Sequence, residues 1–166
     1  MFKDLYGKNR IKINLHTHTT CSDGKKTPEE AAEIYKAAGY DRIAITDHYI
    51  FYGGGSLSGL ELLSGAEYDT RICYGKEGVY HIVALGCKRD PKITREEDLP
   101  AEKIVERILA VGGTPVLAHP AWSLNQPETA LALSSVTLTE IYNSVSDAGE
   151  SSRPYSGCFA DLVACL

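Results

Sequence analysis

Short apolar segments of strand type alternate with amphipathic segments of helix type along this chain, and this alternation restricts the fold more than any other feature. The clearest strand segment, residues 10–15, reads Arg-Ile-Lys-Ile-Asn-Leu, a strict polar and apolar alternation that is typical of a half-buried strand. Further segments that we interpret as strands lie at 41–46, 60–68, 79–86, 114–118 and 136–142. Segments with helical periodicity lie at 27–39, 100–111, 126–133 and 156–166. This order predicts an α/β protein with a mainly parallel sheet.

Two of the predicted helices carry clear signals. Thr27 is expected to cap the first helix, with Pro28 in its first turn, Glu30 three residues after the cap and Gly39 at its end. The helix at 100–111 is expected to bury one apolar face, formed by Ile104, Val105, Ile108 and Leu109.

Length and composition exclude several classes of protein. The 166 residues suffice for one domain, since domains average about 150 residues. A net charge of −5 argues against a broadly basic surface for nucleic acid. No apolar segment approaches the ~18 residues that cross a bilayer, and the N-terminus lacks the apolar core of a signal peptide. The five cysteines form no Cys-x-x-Cys pair, so we expect a cytoplasmic protein without a disulfide framework.

Histidines lie at the ends of three predicted strands. His16 and His18 are two residues apart and therefore point to the same side of the first strand. His48 and His119 end two other strands. A single histidine is more often a surface or core residue, but α/β folds collect functional side chains at strand ends, and imidazole is the commonest metal ligand. The pattern therefore favours a metal site.

These motifs resemble those of the PHP (polymerase and histidinol phosphatase) family. The resemblance runs from about residue 12 to 143, in the order of the family. It rests on five segments, namely His16-Thr-His-Thr-Thr-Cys-Ser-Asp-Gly24, Thr46-Asp-His48, Gly65-Ala-Glu67, His81-Ile-Val-Ala-Leu-Gly86 and Ala118-His-Pro120. The resemblance implies a distorted TIM-like (β/α)7-type barrel, two or three divalent metal ions and phosphoester hydrolysis.

Carried over to this chain, the resemblance implies seven metal ligands. His16 and His18 would bind one ion together with Glu67. Glu67 would also bridge to a third ion. The second ion would be bound by Asp23 and His48, and the third by Glu67, His81 and His119. Such mixed imidazole and carboxylate ligands fit zinc, manganese or iron better than an all-oxygen site for magnesium or calcium.

The implied reaction is hydrolysis of a small phosphorylated metabolite or nucleotide. The metal ions held by five of the ligands would lower the pKa of a bound water toward neutrality, and the resulting hydroxide would attack phosphorus. Those five residues are His16, His18, Asp23, His48 and Glu67.

Five further residues near the motifs are given roles. Asp47 is interpreted as orienting an imidazole through its free ring N–H, and Cys21 as a bystander. Arg153 is the candidate for binding the substrate phosphate because it follows a strand-end loop, with Arg71 and Lys25 as weaker candidates. Exposed basic residues of this kind are ordinarily solvated surface charges.

The sequence departs from the family pattern in two places. Residues 52–59 are short and rich in glycine where the family commonly has a helix, so we expect that helix to be lost or replaced by a mobile loop. The family also has a late Asp-x-His motif, whereas no histidine follows His119. We therefore expect a single domain, residues 1–166, that lacks its final strand or strands and two ligands. Its exposed C-terminal edge would favour self-association.

Two alternatives to the phosphoesterase remain open. One is a truncated or catalytically impaired PHP module that binds metal without turnover, which the missing late motif favours. The other is a metal-dependent amidohydrolase, because similar barrels and ligands hydrolyse C–N bonds. Arginine or lysine around a bound oxyanion would favour the phosphate reaction.

Overall fold

The computed structural model describes residues 2–71, 78–140 and 143. Short strands dominate this part of the chain, and three α-helices and one 3-10 turn lie between them. In chain order the elements are β1 (Phe2–Lys3), β2 (Asn9–Arg10), β3 (Ile13–Asn14), α1 (Pro28–Ala37), β4 (Arg42–Ala44), β5 (Gly55–Leu57), β6 (Leu60–Leu63), β7 (Gly65–Asp69), β8 (His81–Leu85), the 3-10 turn (Arg95–Glu97), α2 (Ala101–Ala110), β9 (Thr114–Leu117), α3 (Pro127–Ala132) and β10 (Leu138–Thr139).

Two four-stranded sheets form the body of the fold, and β1 and β2 form a separate hairpin. The first sheet has the order β3-β4-β6-β5 and the second the order β10-β9-β8-β7. Only Ser64 separates β6 from β7, so the chain passes directly from one sheet into the other. Single bridges of His48 with Glu67 and of Tyr52 with Gly65 join the two sheets further.

The strands pair in both directions. β3 with β4, β4 with β6 and β9 with β10 are parallel. β5 with β6, β7 with β8 and β8 with β9 are antiparallel. The prediction of a mainly parallel sheet is therefore wrong for the described residues, because several neighbouring strands follow each other without a crossover helix. The fold is a mixed α/β fold with several sheets, and the described residues do not form a complete TIM barrel.

A hairpin occupies the glycine-rich segment. β5 and β6 are joined by Ser58 and Gly59, which have positive φ angles of 50° and 74°. Two-residue hairpin turns with this backbone match the twist of their strands, and glycine adopts it without steric cost. The described residues between His48 and Glu67 contain no helix, as expected. They form a paired hairpin there, so the alternative of a mobile loop is wrong.

The helices follow their predicted end signals. Thr27 Oγ1 accepts a hydrogen bond from the Glu30 backbone N at 3.2 Å, and Glu30 Oε2 accepts one from the Thr27 backbone N at 2.9 Å. Gly39 follows the end of α1 with a φ of 76°. These contacts confirm the predicted capping box and terminator.

Helix α2 packs its apolar face on β8 and β9. Ala101, Ile104, Val105 and Ile108 are buried. Leu109, which was expected on the same face, is instead 45% exposed. The buried face of an amphipathic helix covers about a third of the helix circumference. Leu109 lies outside the part of the circumference that contacts the sheet.

Loss of the threonine cap is expected to destabilise the protein slightly. Thr27→Ala removes the acceptor for the Glu30 N–H and should lower the free energy of unfolding by about 1 kcal/mol. Urea denaturation of the variant and of Thr129→Ala, whose hydroxyl only donates to the Gln126 carbonyl, would measure the difference. Equal stability of the two variants would show that the cap contributes nothing.

Parts of the predicted organisation lie outside the described residues. The predicted strand at 136–142 is observed as β10, whereas the predicted helix at 156–166 falls outside the described part. The single-domain assignment stays a prediction. Among the described residues, no helix combines the length and apolar character needed to span a bilayer.

Candidate metal centre

Glu67 is a buried carboxylate at the centre of a histidine cluster. It lies in the middle of β7, and its side chain is only 1% exposed. Glu67 Oε2 lies 2.8 Å from His18 Nε2, 3.1 Å from His16 Nε2 and 3.7 Å from His48 Nδ1. His16 and His18 follow β3, and their spacing of two residues turns both rings to the side of Glu67. His48 follows β4 and pairs with Glu67 through the bridge between the sheets.

The other carboxylate oxygen faces two further histidines. Glu67 Oε1 lies 3.0 Å from His81 Nδ1 and 3.4 Å from His119 Nε2. His81 is the first residue of β8, which runs antiparallel to β7 and so begins where β7 ends. His119 follows β9 with a φ of 26°, which is uncommon for a residue with a side chain and costs energy. Its Nδ1 lies 2.9 Å from Ser123 Oγ.

All five histidines of the chain therefore surround one carboxylate. Asp23 extends the cluster toward solvent. Its Oδ1 lies 3.0 Å from His18 Nδ1 and its Oδ2 lies 3.8 Å from His48 Nε2, while its side chain is 67% exposed. The structure thus brings together all seven residues that the sequence suggested as ligands, and their role in binding metal stays a prediction.

The spacing of these atoms fits divalent cations. His16 Nε2 and His18 Nε2 lie 2.9 Å apart, and both face Glu67 Oε2. Two nitrogens at about 2.0–2.1 Å from one zinc ion approach each other to roughly 3–3.5 Å. Two groups of potential ligand atoms each lie within 4.8 Å of one another. One group comes from His16, Glu67 and His119, and the other comes from His18, His48 and Glu67. His48 Nδ1 is buried and has no hydrogen-bond partner among the described residues, as expected for a nitrogen reserved for a ligand.

The charges in the cluster fit the same interpretation. Burial would raise the pKa of Glu67, but hydrogen bonds from the imidazoles, that of His119 first, hold it well below its usual range. Burial lowers the pKa of His48 and of His119, which favours the neutral imidazole that binds metals. For His16 burial also acts to lower the pKa, but the carboxylates of Glu140 and Glu67 outweigh it and raise the pKa to about 10. Without a bound cation the site therefore holds a proton on His16 beside an ionised carboxylate, and a cation that binds His16 Nε2 would displace that proton.

The contacts of Asp47 differ from the predicted contact with an imidazole. The residue is fully buried, and its carboxylate accepts hydrogen bonds from Thr19 N at 2.6 Å, Thr19 Oγ1 at 2.5 Å and Ser22 Oγ at 2.6 Å. Among the described residues it makes no direct hydrogen bond to an imidazole. Ser22 Oγ lies 3.3 Å from His18 Nδ1, so Asp47 reaches His18 only through that hydroxyl. Cys21 is exposed and free in the same loop.

Two carboxylates of the cluster were missed in the sequence. Glu140 follows β10, and its Oε1 lies 3.3 Å from His16 Nδ1. Asp69 lies two residues after Glu67 on β7, and its Oδ2 lies 3.8 Å from His48 Nδ1. The period of two along a strand could have suggested Asp69. No local signal marks Glu140, which is 124 residues from His16.

A cavity of about 730 Å³ opens beside the cluster. Arg71 and Arg95 line it together with Asp23, His48 and His81. Arg71 Nη1 donates to the Arg95 carbonyl at 2.9 Å, and the Arg95 guanidinium lies 5.8 Å from the Tyr49 ring centroid. No sequence pattern marks Arg95, so it was not among the predicted site residues. Of the other phosphate candidates, Lys25 is exposed and does not line the cavity, and Arg153 lies outside the described residues.

Gly24 fixes the loop that presents His18 and Asp23. A Cβ atom at this position would lie 2.3 Å from the His18 carbonyl oxygen, so the backbone would have to move. We expect Gly24→Ala to reduce the metal bound per chain while the protein stays folded. Gly53→Ala is the matched control because its Cβ would meet no atom within 4 Å. Equal metal content in both variants, measured by elemental analysis, would contradict this role of Gly24.

Comparisons with known proteins agree with this arrangement. The model of the PHP domain family matches residues 14–158. A 5'-3' exoribonuclease from Haemophilus influenzae is 34% identical over 90 residues, which cover 50% of this chain and 32% of that protein. The chain thus spans about a third of the length of that relative.

Solved structures show a similar fold. A protein from Bifidobacterium adolescentis assigned as a metal-dependent phosphoesterase has a TM-score of 0.62 and 14% identity, covering 95% of this chain and 84% of that one. An amidohydrolase from Chromobacterium violaceum has a TM-score of 0.59 and 18% identity, with 78% and 76% covered. A two-domain protein from Bacteroides vulgatus that contains a predicted PHP-like metal-dependent phosphoesterase has a TM-score of 0.54 and 20% identity, with 80% and 44% covered.

The family match spans most of the chain and includes every histidine of the cluster, together with Asp23 and Glu67. Because this match covers far more than half of the chain, we conclude that the chain belongs to the PHP domain family.

Proposed function

We propose that this chain is a metal-dependent phosphoesterase that hydrolyses a small phosphorylated metabolite or a nucleotide. The observation that carries the proposal is the convergence of five imidazoles on the buried carboxylate of Glu67. Buried ring nitrogens in structural imidazole networks usually have a hydrogen-bond partner. Among the described residues, His48 Nδ1 is buried and has none. Membership of the PHP family supports the same reaction class.

Glu67 divides the histidines into two groups, which suits a bridging carboxylate. His16 and His18 face Oε2, whereas His81 and His119 face Oε1. We assign these two groups to two cations, and Asp23 with His48 to a further one, with zinc, manganese or iron as the fitting metals. Bound divalent cations would supply polarisation of the phosphoryl oxygens and a lowered pKa of water. The ionised carboxylates of Glu67 and Asp23 offset the charge of the cations.

The cavity fits a substrate larger than phosphate itself. Its volume of about 730 Å³ lies within the range of about 300–1,000 Å³ that small-molecule sites have. Arg71 and Arg95 bring two positive charges to its wall, and neither has a carboxylate within ion-pair distance among the described residues. These charges favour a phosphorylated substrate over a neutral amide. A nucleotide is included in the proposal because the Haemophilus influenzae relative is an exoribonuclease.

Arg71 is expected to contribute to substrate binding. Arg71→Gln should raise KM for a phosphate ester about tenfold, because it removes one charge-assisted hydrogen bond, and should leave metal content unchanged. Arg89→Gln, which changes an exposed arginine outside the cavity lining, is the matched control. Steady-state kinetics would show the difference, and an equal KM in both variants would remove Arg71 from the substrate site.

One assay separates the candidate functions. The chain would be loaded with Zn²⁺, Mn²⁺ or Fe²⁺, and hydrolysis of p-nitrophenyl phosphate, nucleoside monophosphates and p-nitroacetanilide would be compared. We expect phosphate release from the esters and little cleavage of the anilide. Faster cleavage of the anilide would favour an amidohydrolase. This alternative is included because the Chromobacterium violaceum amidohydrolase has a similar fold. Tight metal binding without any turnover would instead support a binding module.

We also propose self-association through the C-terminal edge of the second sheet. Among the described residues, β10 pairs with β9 on one side only, so it is an edge strand that offers backbone groups to a further strand. Sedimentation velocity at several concentrations tests this, and a monomer throughout would contradict it.

A further inference from the structure

Glu140 contacts residues just beyond the ends of β3 and β9, two strands that belong to different sheets. It follows β10, and its side chain is only 17% exposed. Its Oε1 lies 3.3 Å from His16 Nδ1, beyond the end of β3, and its Oε2 accepts a hydrogen bond from the His119 backbone N at 2.9 Å, beyond the end of β9. One carboxylate thus contacts two candidate metal ligands, His16 at its ring and His119 at its backbone N–H.

The contact with His16 selects one form of its ring. An ionised carboxylate only accepts hydrogen bonds, so a hydrogen bond at this position requires the proton on His16 Nδ1. In the neutral ring the lone pair then lies on Nε2, the atom that faces Glu67 Oε2 at 3.1 Å. A carboxylate behind a ligating imidazole fixes the orientation of the ring and raises its basicity.

The contact with His119 holds a strained residue in place. His119 has a φ of 26°, and its Nε2 lies 3.4 Å from Glu67 Oε1. The hydrogen bond from its backbone N to Glu140 fixes this backbone, and Asn143 Nδ2 donates to the same carboxylate oxygen at 3.0 Å. The rings of His16 and His119 stack with centroids 5.5 Å apart, so the two residues that Glu140 contacts carry adjacent rings.

The surroundings of Glu140 strengthen these hydrogen bonds. A cavity of about 270 Å³ between β3 and β10 is lined mainly by apolar side chains, with Glu140 and His16 at its wall. Apolar neighbours include Leu15, Val83 and Leu138. Hydrogen bonds in such low-dielectric surroundings are electrostatically stronger than in water.

We propose that Glu140 is a positioning residue that fixes His16 as the Nδ1–H tautomer and holds His119, so that one ligand on each oxygen of Glu67 is kept in place for the two cations that Glu67 bridges. The inference rests on the proposed function only in taking this cluster to bind metal. His16 faces Glu67 Oε2 and His119 faces Glu67 Oε1, so the contribution of Glu140 concerns the two cations that Glu67 bridges and not the one assigned to Asp23 and His48.

The test uses Glu140→Gln, with Glu128→Gln, an exposed glutamate of α3, as matched control. Chelator competition with Zn²⁺ should show affinity lowered by about 10–100-fold for the two ions that Glu67 bridges and unchanged affinity for the ion assigned to Asp23 and His48. The control should bind like the unchanged chain. Unchanged affinity for every ion in folded Glu140→Gln, or an equal loss for all ions, would overturn the proposal.

A second measurement does not depend on the stability of the variant. ¹⁵N NMR of the zinc-loaded unchanged chain should show the His16 proton on Nδ1 and none on Nε2, and a proton on Nε2 would overturn the proposal. Neither readout needs turnover. A chain that binds zinc as expected but hydrolyses no phosphate ester would therefore contradict the proposed function while leaving the role of Glu140 supported.

Discussion

Replacing Glu67 by glutamine is expected to remove most of the bound metal and to lower phosphoester hydrolysis by about a thousandfold or more, the scale on which lost electrostatic stabilisation acts in active sites. Glu67 is 1% exposed, and its two oxygens divide the histidines between them. Glutamine keeps the shape of the side chain but removes the negative charge. Its amide group also turns N–H donors toward imidazole nitrogens that must keep their lone pairs for metal.

Elemental analysis of the purified variant measures the first effect and steady-state kinetics the second. Glu61→Gln is the matched control, because Glu61 is a glutamate of the preceding strand that is 53% exposed and pairs with Arg42 at 2.9 Å. We expect the control to keep its metal and its activity. Full metal content in Glu67→Gln would contradict the proposal that Glu67 bridges two cations.

Asp47→Ala is expected to lower the free energy of unfolding by about 3 kcal/mol. Asp47 is fully buried, and the substitution leaves three donors of Thr19 and Ser22 without their acceptor. Each buried donor that loses its partner costs about 1–3 kcal/mol, offset in part by water that enters the space. Burial raises the pKa of Asp47, but the hydrogen bonds from Ser22 and Thr19 outweigh it and keep the carboxylate ionised.

Urea denaturation of metal-free protein measures this loss without a contribution from metal binding. Asp47→Asn keeps one oxygen acceptor and should lose about half as much stability. Asp90→Ala, which removes contacts with the Lys92 backbone N at 2.7 Å and with Lys92 Nζ at 3.1 Å, is the control. A loss in Asp47→Ala no larger than in Asp90→Ala would show that the loop from Thr19 to Ser22 does not depend on this carboxylate.

The histidine cluster was predictable because strand periodicity and strand ends are local properties of a sequence. His16 and His18 share a strand face, and the ends of neighbouring strands meet in space. The capping box of α1 was equally predictable, since Thr27 and Glu30 contact each other across one helical turn.

Contacts made across the fold were not predictable. Glu140 meets His16 across 124 residues, and nothing in its neighbourhood distinguishes it from an ordinary strand-end acid. Asp47 lies beside His48 in the sequence, but the backbone turns its carboxylate to Thr19 and Ser22. The pairing of β7 with β8 and of β8 with β9 is antiparallel even though α2 lies between β8 and β9, whereas the sequence pattern indicates only that strands and helices alternate.

The central claim is that the cluster around Glu67 binds divalent metal and uses it to hydrolyse phosphate esters. Its most direct test is one titration of the purified chain, in which bound metal is determined by elemental analysis and p-nitrophenyl phosphate hydrolysis is followed in the same samples. We expect two or three ions per chain at saturation, activity that disappears when a chelator removes them, and recovery when Mn²⁺ or Zn²⁺ is returned. A chain that binds no divalent metal, or that keeps its full activity after complete removal of metal, would contradict it.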